Sequence, residues 1–215
     1  MTPFLAESGV IHAPTLAGLD GATDRDPASV GLADHVAQIL ALIDRIAPAA
    51  IVLVGHSYGA LVASEAAALR PDRVAGLFIL DGFIATVGRS IFAMHPEIET
   101  LLLSLVDPGK PGLIQPAPME MLLAPGESLP EPAQSRLSAM PLATHGEAAR
   151  HSTTDLICPI AYLACSRFAP LAPVHARARR LGWDVQDIEA GHLANLTRPA
   201  EVARAVAAAL QRMER

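Results

Sequence analysis

Residues 49–71 read AAIVLVGHSYGALVASEAAALRP. An apolar run stops at Gly55, the polar trio His56, Ser57 and Tyr58 follows, and after Gly59 an Ala/Leu-rich stretch with helical spacing runs to Pro71. The first half predicts a buried strand and the second a helix. Ser57 therefore stands between two glycines, as G-x-S-x-G, where a strand turns into a helix. A chain that reverses direction so sharply forces the serine into a strained backbone. It also brings the residues two before and two after it close together, so Gly55 and Gly59 are expected to be needed for lack of space. The turn lifts the Ser57 hydroxyl to a helix N-terminus and aims the Tyr58 backbone N–H at the place where an oxyanion would form.

A serine hydroxyl needs a neighbouring base to act as a nucleophile. Of the eight histidines, His192 is the best placed, in the loop IEAGHLANLTRP between the last strand-like run and the last helical one. His56 adjoins the serine but should point sideways, so it is read as a pocket or packing residue. His12, His35, His95, His145, His151 and His175 show no spacing that marks a metal site. The base in turn needs a carboxylate that fixes its tautomer and stabilises the imidazolium. After the run PIAYLAC the sequence reads CSRF and offers none. GLFILDGF instead ends in Asp81, 24 residues past Ser57 (81 − 57). That places Asp81 one strand over, at the sheet edge where open α/β sheets keep their sites. Asp184, Asp187 and Glu189 are nearer to His192 in sequence, but strand geometry should point them elsewhere.

Around these residues the pattern alternates. GVIHAPTL (9–16), AIVLVG, VAGLFILDG, ICPIAYLAC and WDVQDIEAG read as strands. LADHVAQILALIDRI (32–46), ALVASEAAALR, PVHARARRLG and PAEVARAVAAALQRM read as helices. Continuous apolar strands alternating with helices predict a mostly parallel sheet covered on both faces, an α/β fold. Residues 84–155 break the rhythm with many prolines and short helical pieces such as EIETLLLSLV, and read as a helical cap inserted into a core of residues 1–83 and 156–215. Phe83, Ile84, Met94, Leu122 and His56 are the candidate lining of a largely apolar substrate pocket.

The bulk numbers bound the function. The 215 residues suit one domain, and 51% hydrophobic content allows a sizeable core. A net charge of −6 with no basic stripe argues against nucleic acid as a partner. No apolar run approaches the roughly 20 residues that cross a bilayer, and MTPFLAESG lacks the features of a signal peptide. If ICPIAYLAC is a strand, Cys158 and Cys165 are roughly 23 Å apart, beyond the reach of a disulfide. Free thiols fit a cytoplasmic location.

APTLAGL, GLADHV, VLVGHSYGALVA, RVAGLFILDGF, PLAT and GHLANLTRPAEVA together resemble the α/β-hydrolase superfamily over nearly the whole chain. The likeness is greatest to small bacterial esterase-like members related to the plant methylesterase and hydroxynitrile lyase group. The resemblance implies a Ser-His-Asp hydrolase acting on esters, thioesters or lactones under a helical cap and without a cofactor. Ser57 would be the nucleophile, His192 the base and Asp81 the acid, a position that thioesterase-like members also use. The plant group keeps its acid after the following strand, where this chain has Phe168. Family members also begin with a strand and a His-Gly loop that supplies a second oxyanion donor, whereas MTPFLAESGVIHAPTL matches the helix after that loop. The expectation is an open strand edge, one donor fewer, and some tendency to self-associate. Lyase, lactonase or cyclase chemistry on the same three residues, or a catalytically weak member that binds a ligand, are the competing readings.

Overall fold

A computed structural model describes residues 3–5, 9–19, 26–46 and 50–213 of the chain. Helix α1 (Leu32–Arg45) precedes strand β1 (Ile51–His56), helix α2 (Gly59–Leu69) and strand β2 (Val74–Leu80). After the insertion come β5 (Ile160–Cys165), α8 (Ala172–Arg180), β6 (Asp184–Ile188), α9 (Ala194–Thr197) and α10 (Pro199–Met213). The four long strands form one sheet in the order β1-β2-β5-β6. All three pairings are parallel, as continuous apolar strands alternating with helices require.

The strand period of two sorts the core into two layers. Leu77 and Ile79 of β2, with Tyr162 and Ala164 of β5, face α1, α2 and α8. Phe78 and Leu80, with Ala161, Leu163 and Cys165, face α10 through Val202, Ala203, Val206 and Ala209. Helix α2 is buried almost all round, which its run of alanines permits, because small side chains let it lie close against the sheet. Both cysteines are free thiols. Among the described residues no helix is long and apolar enough to cross a membrane.

Residues 9–16 form no strand, contrary to the sequence reading. A strand exists only where a neighbour accepts its ladder; Val10 is 89% exposed and Pro14 cannot donate. Among the described residues β1 has a strand neighbour on one side only, and Val54 on it is 41% exposed.

The insertion holds helices α3 (Ile91–Met94) and α4 (Pro96–Ser104), strand β3 (Leu113–Ile114), helices α5 (Met119–Leu122) and α6 (Glu131–Gln134), strand β4 (Met140–Pro141) and helix α7 (Ala143–Gly146). β3 and β4 pair antiparallel. The insertion leaves and rejoins the core through a paired neck. There Gly88 N–H donates to Ala149 O (2.8 Å), Ala149 N–H to Arg89 O (3.0 Å) and Ala85 N–H to Thr153 Oγ1 (2.9 Å). The buried Glu65 of α2 ties the neck down by accepting from the backbone N–H of Arg150 (2.6 Å) and of His151 (2.8 Å).

Candidate active site

The register of β1 on β2 pairs His56 with Leu80, so the next residue on each strand, Ser57 and Asp81, emerges side by side at the C-terminal edge of the sheet. Ser57 N–H still donates to Leu80 O (3.1 Å) and Asp81 N–H to Leu163 O (2.8 Å). Both chains then break sharply. Ser57 (φ 54°) and Asp81 (φ 41°) are the only non-glycine residues with positive φ among those described. Conformations of this kind cost of order 1–3 kcal/mol and persist where the surroundings hold them.

His192 arrives from the loop between β6 and α9 and joins the two. Its Nε2 lies 2.8 Å from Ser57 Oγ and its Nδ1 lies 2.6 Å from Asp81 Oδ2. An ionised carboxylate only accepts, so Nδ1 carries the proton and Nε2 is left to accept from the serine hydroxyl. Asp81 is fully buried and His192 is 7% exposed. Burial pushes the Asp81 carboxyl up, but hydrogen bonds from His175 and His192 outweigh it and hold the group below the usual carboxylate range. The Tyr58 N–H, at the start of α2, donates no hydrogen bond among the described residues. The arrangement can pass a proton from Ser57 to His192 and meet developing negative charge with a free backbone donor.

The model of the alpha/beta hydrolase family matches residues 1–205. The chain belongs to this family. Among curated relatives, lipase LipV of Mycobacterium tuberculosis is 27% identical over 201 residues, covering 80% of this chain and 73% of that protein. Solved structures with the same fold include an extracellular alpha/beta-hydrolase from a Paenibacillus species, described as sharing structural and functional homology with tobacco salicylic acid binding protein 2. It is 18% identical with a TM-score of 0.74, over 95% of this chain and 89% of that one. Tomato methylketone synthase I is 13% identical with a TM-score of 0.78, over 99% and 92%. The solved structures share the fold, and the family assignment makes the chain an enzyme of hydrolase type.

The hydrolase packs its histidine loop between rings. Phe168, at the position where the sequence offered no acid, stacks on His192 with centroids 4.3 Å apart. His56 lies on another side at 4.7 Å, and its Nε2 is 2.8 Å from His192 O. His56 thus braces the loop. Burial, and after it the nearby His192, push its pKa down to about 4, so it stays neutral and donates to that carbonyl. The insertion grips the same loop. His192 N–H donates to Leu122 O (2.7 Å), and Gly191 N–H to Oε2 of Glu127 (3.1 Å). A Cβ at Gly191 would come within 2.5 Å of Ala124 N, so glycine is required there by the close approach of the two segments. Leu122 therefore contacts the site through its carbonyl.

Of the other candidate lining residues, Phe83 is buried between the rings of His95 (5.3 Å) and His145 (6.5 Å). Met94 is half-buried at the end of α3. Ile84 is 1% exposed within the main core cluster. It is buried like its neighbour Phe83, which belongs to the same cluster. A groove of about 380 Å³ opens at the far end of β2, lined by Pro71, Val74, Arg150 and Cys158 among others; none of the five candidate lining residues borders it. Among the described residues no group of three or more His, Cys, Asp or Glu side chains could hold a metal ion.

Sequence reasoning missed three contacts: Phe168 on His192, Glu127 under the histidine loop, and His175 on Asp81. His175 carried a usable signal, since it shares the buried face of α8 with Val174 and Ala178. A histidine on an apolar helix face calls for a polar partner.

The two glycines of the motif differ. A Cβ at Gly55 would lie 2.6 Å from Ala60 Cα and 2.7 Å from Gly59 O, whereas one at Gly59 meets nothing within 4 Å. Gly59 is therefore not held by lack of space, contrary to the sequence reading. Gly55→Ala is expected to cost about 2–4 kcal/mol. Gly59→Ala should be neutral or stabilising by up to about 1 kcal/mol, since Gly59 begins a helix. Urea unfolding of the two variants checks this directly.

His145 of α7 is 5% exposed and stacks on Tyr58 (5.1 Å) and Phe92 (5.9 Å). Burial pushes its pKa down from 6.5 to about 4. The folded chain therefore takes up this proton later than the unfolded chain does. The stabilisation is complete above pH 6.5 and is lost as pH falls towards 4. Urea unfolding at pH 7 and pH 4.5 should show about 2–3 kcal/mol more loss in the native chain than in His145→Phe. Equal losses would contradict the buried neutral imidazole.

Proposed function

We propose that the chain is a serine esterase cleaving a carboxylic ester or thioester of a small molecule. The observation that carries this reading is the unbroken hydrogen-bond chain from Ser57 Oγ through His192 to Asp81 (2.8 and 2.6 Å) at the N-terminus of α2. Ser57 Oγ attacks the carbonyl carbon while His192 Nε2 takes its proton. The oxyanion that forms is met by the Tyr58 N–H. His192 then returns the proton to the leaving alkoxide or thiolate as the bond to carbon breaks, leaving an acyl group on Ser57. Water attacks the acyl carbon, with His192 again accepting the proton, and the acid departs as Ser57 recovers its hydrogen. Asp81 stays ionised throughout and stabilises the imidazolium formed in each half. Residues 84–155 act as the cap that shapes the acyl or alcohol pocket, with Phe83 and Met94 in its wall. The name of the mycobacterial relative, a lipase, and the ester-oriented family likeness point the same way.

A panel of p-nitrophenyl esters from acetate to decanoate tests the proposal. Turnover that depends on Ser57 and varies with acyl length is the expected result. Tight binding of such esters without turnover would indicate a binding protein instead.

A further inference from the structure

Asp81 is gripped from two sides. His192 Nδ1 sits 2.6 Å from Oδ2, and His175 Nε2 of α8 sits 2.6 Å from Oδ1, which also accepts the Cys165 backbone N–H at 3.1 Å. His175 is 7% exposed. Since the carboxylate only accepts, His175 Nε2 must carry a proton and donate it. The carboxylate therefore cannot rotate about its Cβ–Cγ bond without breaking a bond on each oxygen. Two strand ends and one helix thus fix the direction in which Oδ2 faces His192.

We propose that His175 is a positioning residue for the hydrolytic site, holding Asp81 so that Oδ2 stays aligned on His192 Nδ1 and drawing charge from the carboxylate through Oδ1. This rests on the serine-esterase reading above. A donor on Oδ1 weakens Asp81 as a partner for the His192 imidazolium, and it does so whether His175 itself is neutral or charged. Its presence therefore sets the acid limb of the pH–rate profile lower than Asp81 alone would set it. The surroundings contain little else to compete. Facing His175 are Asp81 from β2 and the Tyr162 ring from β5 at 5.9 Å. The Tyr162 hydroxyl is spent on Gly82 O (2.8 Å), and burial pushes its pKa and that of Cys165 up, so both stay neutral. Strand β6, which also packs on α8, carries Asp184 and Asp187, but these are paired with Arg212 and Arg179 at the surface.

The test compares His175→Phe, which keeps the ring shape but removes the donor, with His175→Gln, which keeps a donor. With p-nitrophenyl acetate, the Phe variant should lose about tenfold in kcat, the scale of removing a hydrogen-bond partner that orients a catalytic group. Its KM should be unchanged and the acid limb of kcat/KM should move to higher pH. The Gln variant should recover most of kcat and return the limb towards its original place. A folded Phe variant with native kcat and acid limb, or one changed in KM alone, would overturn the proposal. Proton NMR of the His192 Nδ1–H reads the same contact without turnover. That resonance should shift in the Phe variant and return towards its native place in the Gln variant, and an unchanged resonance would count against the role. If the native chain shows no Ser57-dependent hydrolysis, the esterase reading fails on its own, while the resonance still decides whether His175 acts on the pair.

Discussion

Ser57→Ala is expected to reduce ester hydrolysis by about 10⁶-fold, to the level left by binding and the backbone donor alone. The size follows from the geometry. Among the described residues Ser57 Oγ is the one hydroxyl within hydrogen-bond distance of His192 Nε2 (2.8 Å), so its removal leaves the base with nothing to activate but water. The change is also mild for the fold. Ser57 holds its position through its backbone, donating to Leu80 O and accepting from Ala60 N–H (both 3.1 Å), and alanine keeps both bonds. It does retain the positive φ of 54° that a Cβ disfavours, but serine already bears that cost. Steady-state assays on the folded variant check this, and hydrolysis within tenfold of native would remove Ser57 from the mechanism.

Asp81→Asn is expected to cost about 10⁴-fold in kcat, the usual result of presenting the base with the wrong hydrogen-bond partner. The effect here has a particular cause. Asp81 accepts on both oxygens, from His175 and from His192, each at 2.6 Å. An asparagine has one acceptor and one donor, so it cannot satisfy both. If its NH₂ turns to His192, the imidazole must put its proton on Nε2 and can no longer take one from Ser57. If its NH₂ turns to His175, it meets the Cys165 N–H as well, which donates to the same oxygen (3.1 Å). The second arrangement sets two donors against one another in a fully buried place, at a cost of about 1–3 kcal/mol. The first is therefore favoured, and activity is lost through the tautomer. Steady-state kcat of Asp81→Asn, with urea unfolding to show that it folds, measures this. A loss below tenfold would mean that His192 does not depend on Asp81.

Much of this was legible in the sequence because local patterns decided it. The apolar run ending at Gly55 and the small-residue helix after it placed Ser57 on a strand-to-helix turn. The strand GLFILDG placed Asp81 at the next strand end, where the register of β1 on β2 sets it beside Ser57. The misses share one physical reason: they depend on partners distant in the chain. Residues 9–16 have strand composition, yet among the described residues they pair with no strand. Gly59 resembles Gly55 in the motif, but only Gly55 faces the backbone of α2. His175 lies 94 residues from Asp81, and no spacing rule joins a helix position to a strand end across that interval.

The most direct measurement is labelling of the chain with a fluorophosphonate, followed by peptide mass spectrometry to locate the adduct. An activated serine should give one adduct, on Ser57, formed rapidly in the native chain and lost in His192→Ala. A folded native chain that carries no adduct, or carries it on another residue, would contradict the account.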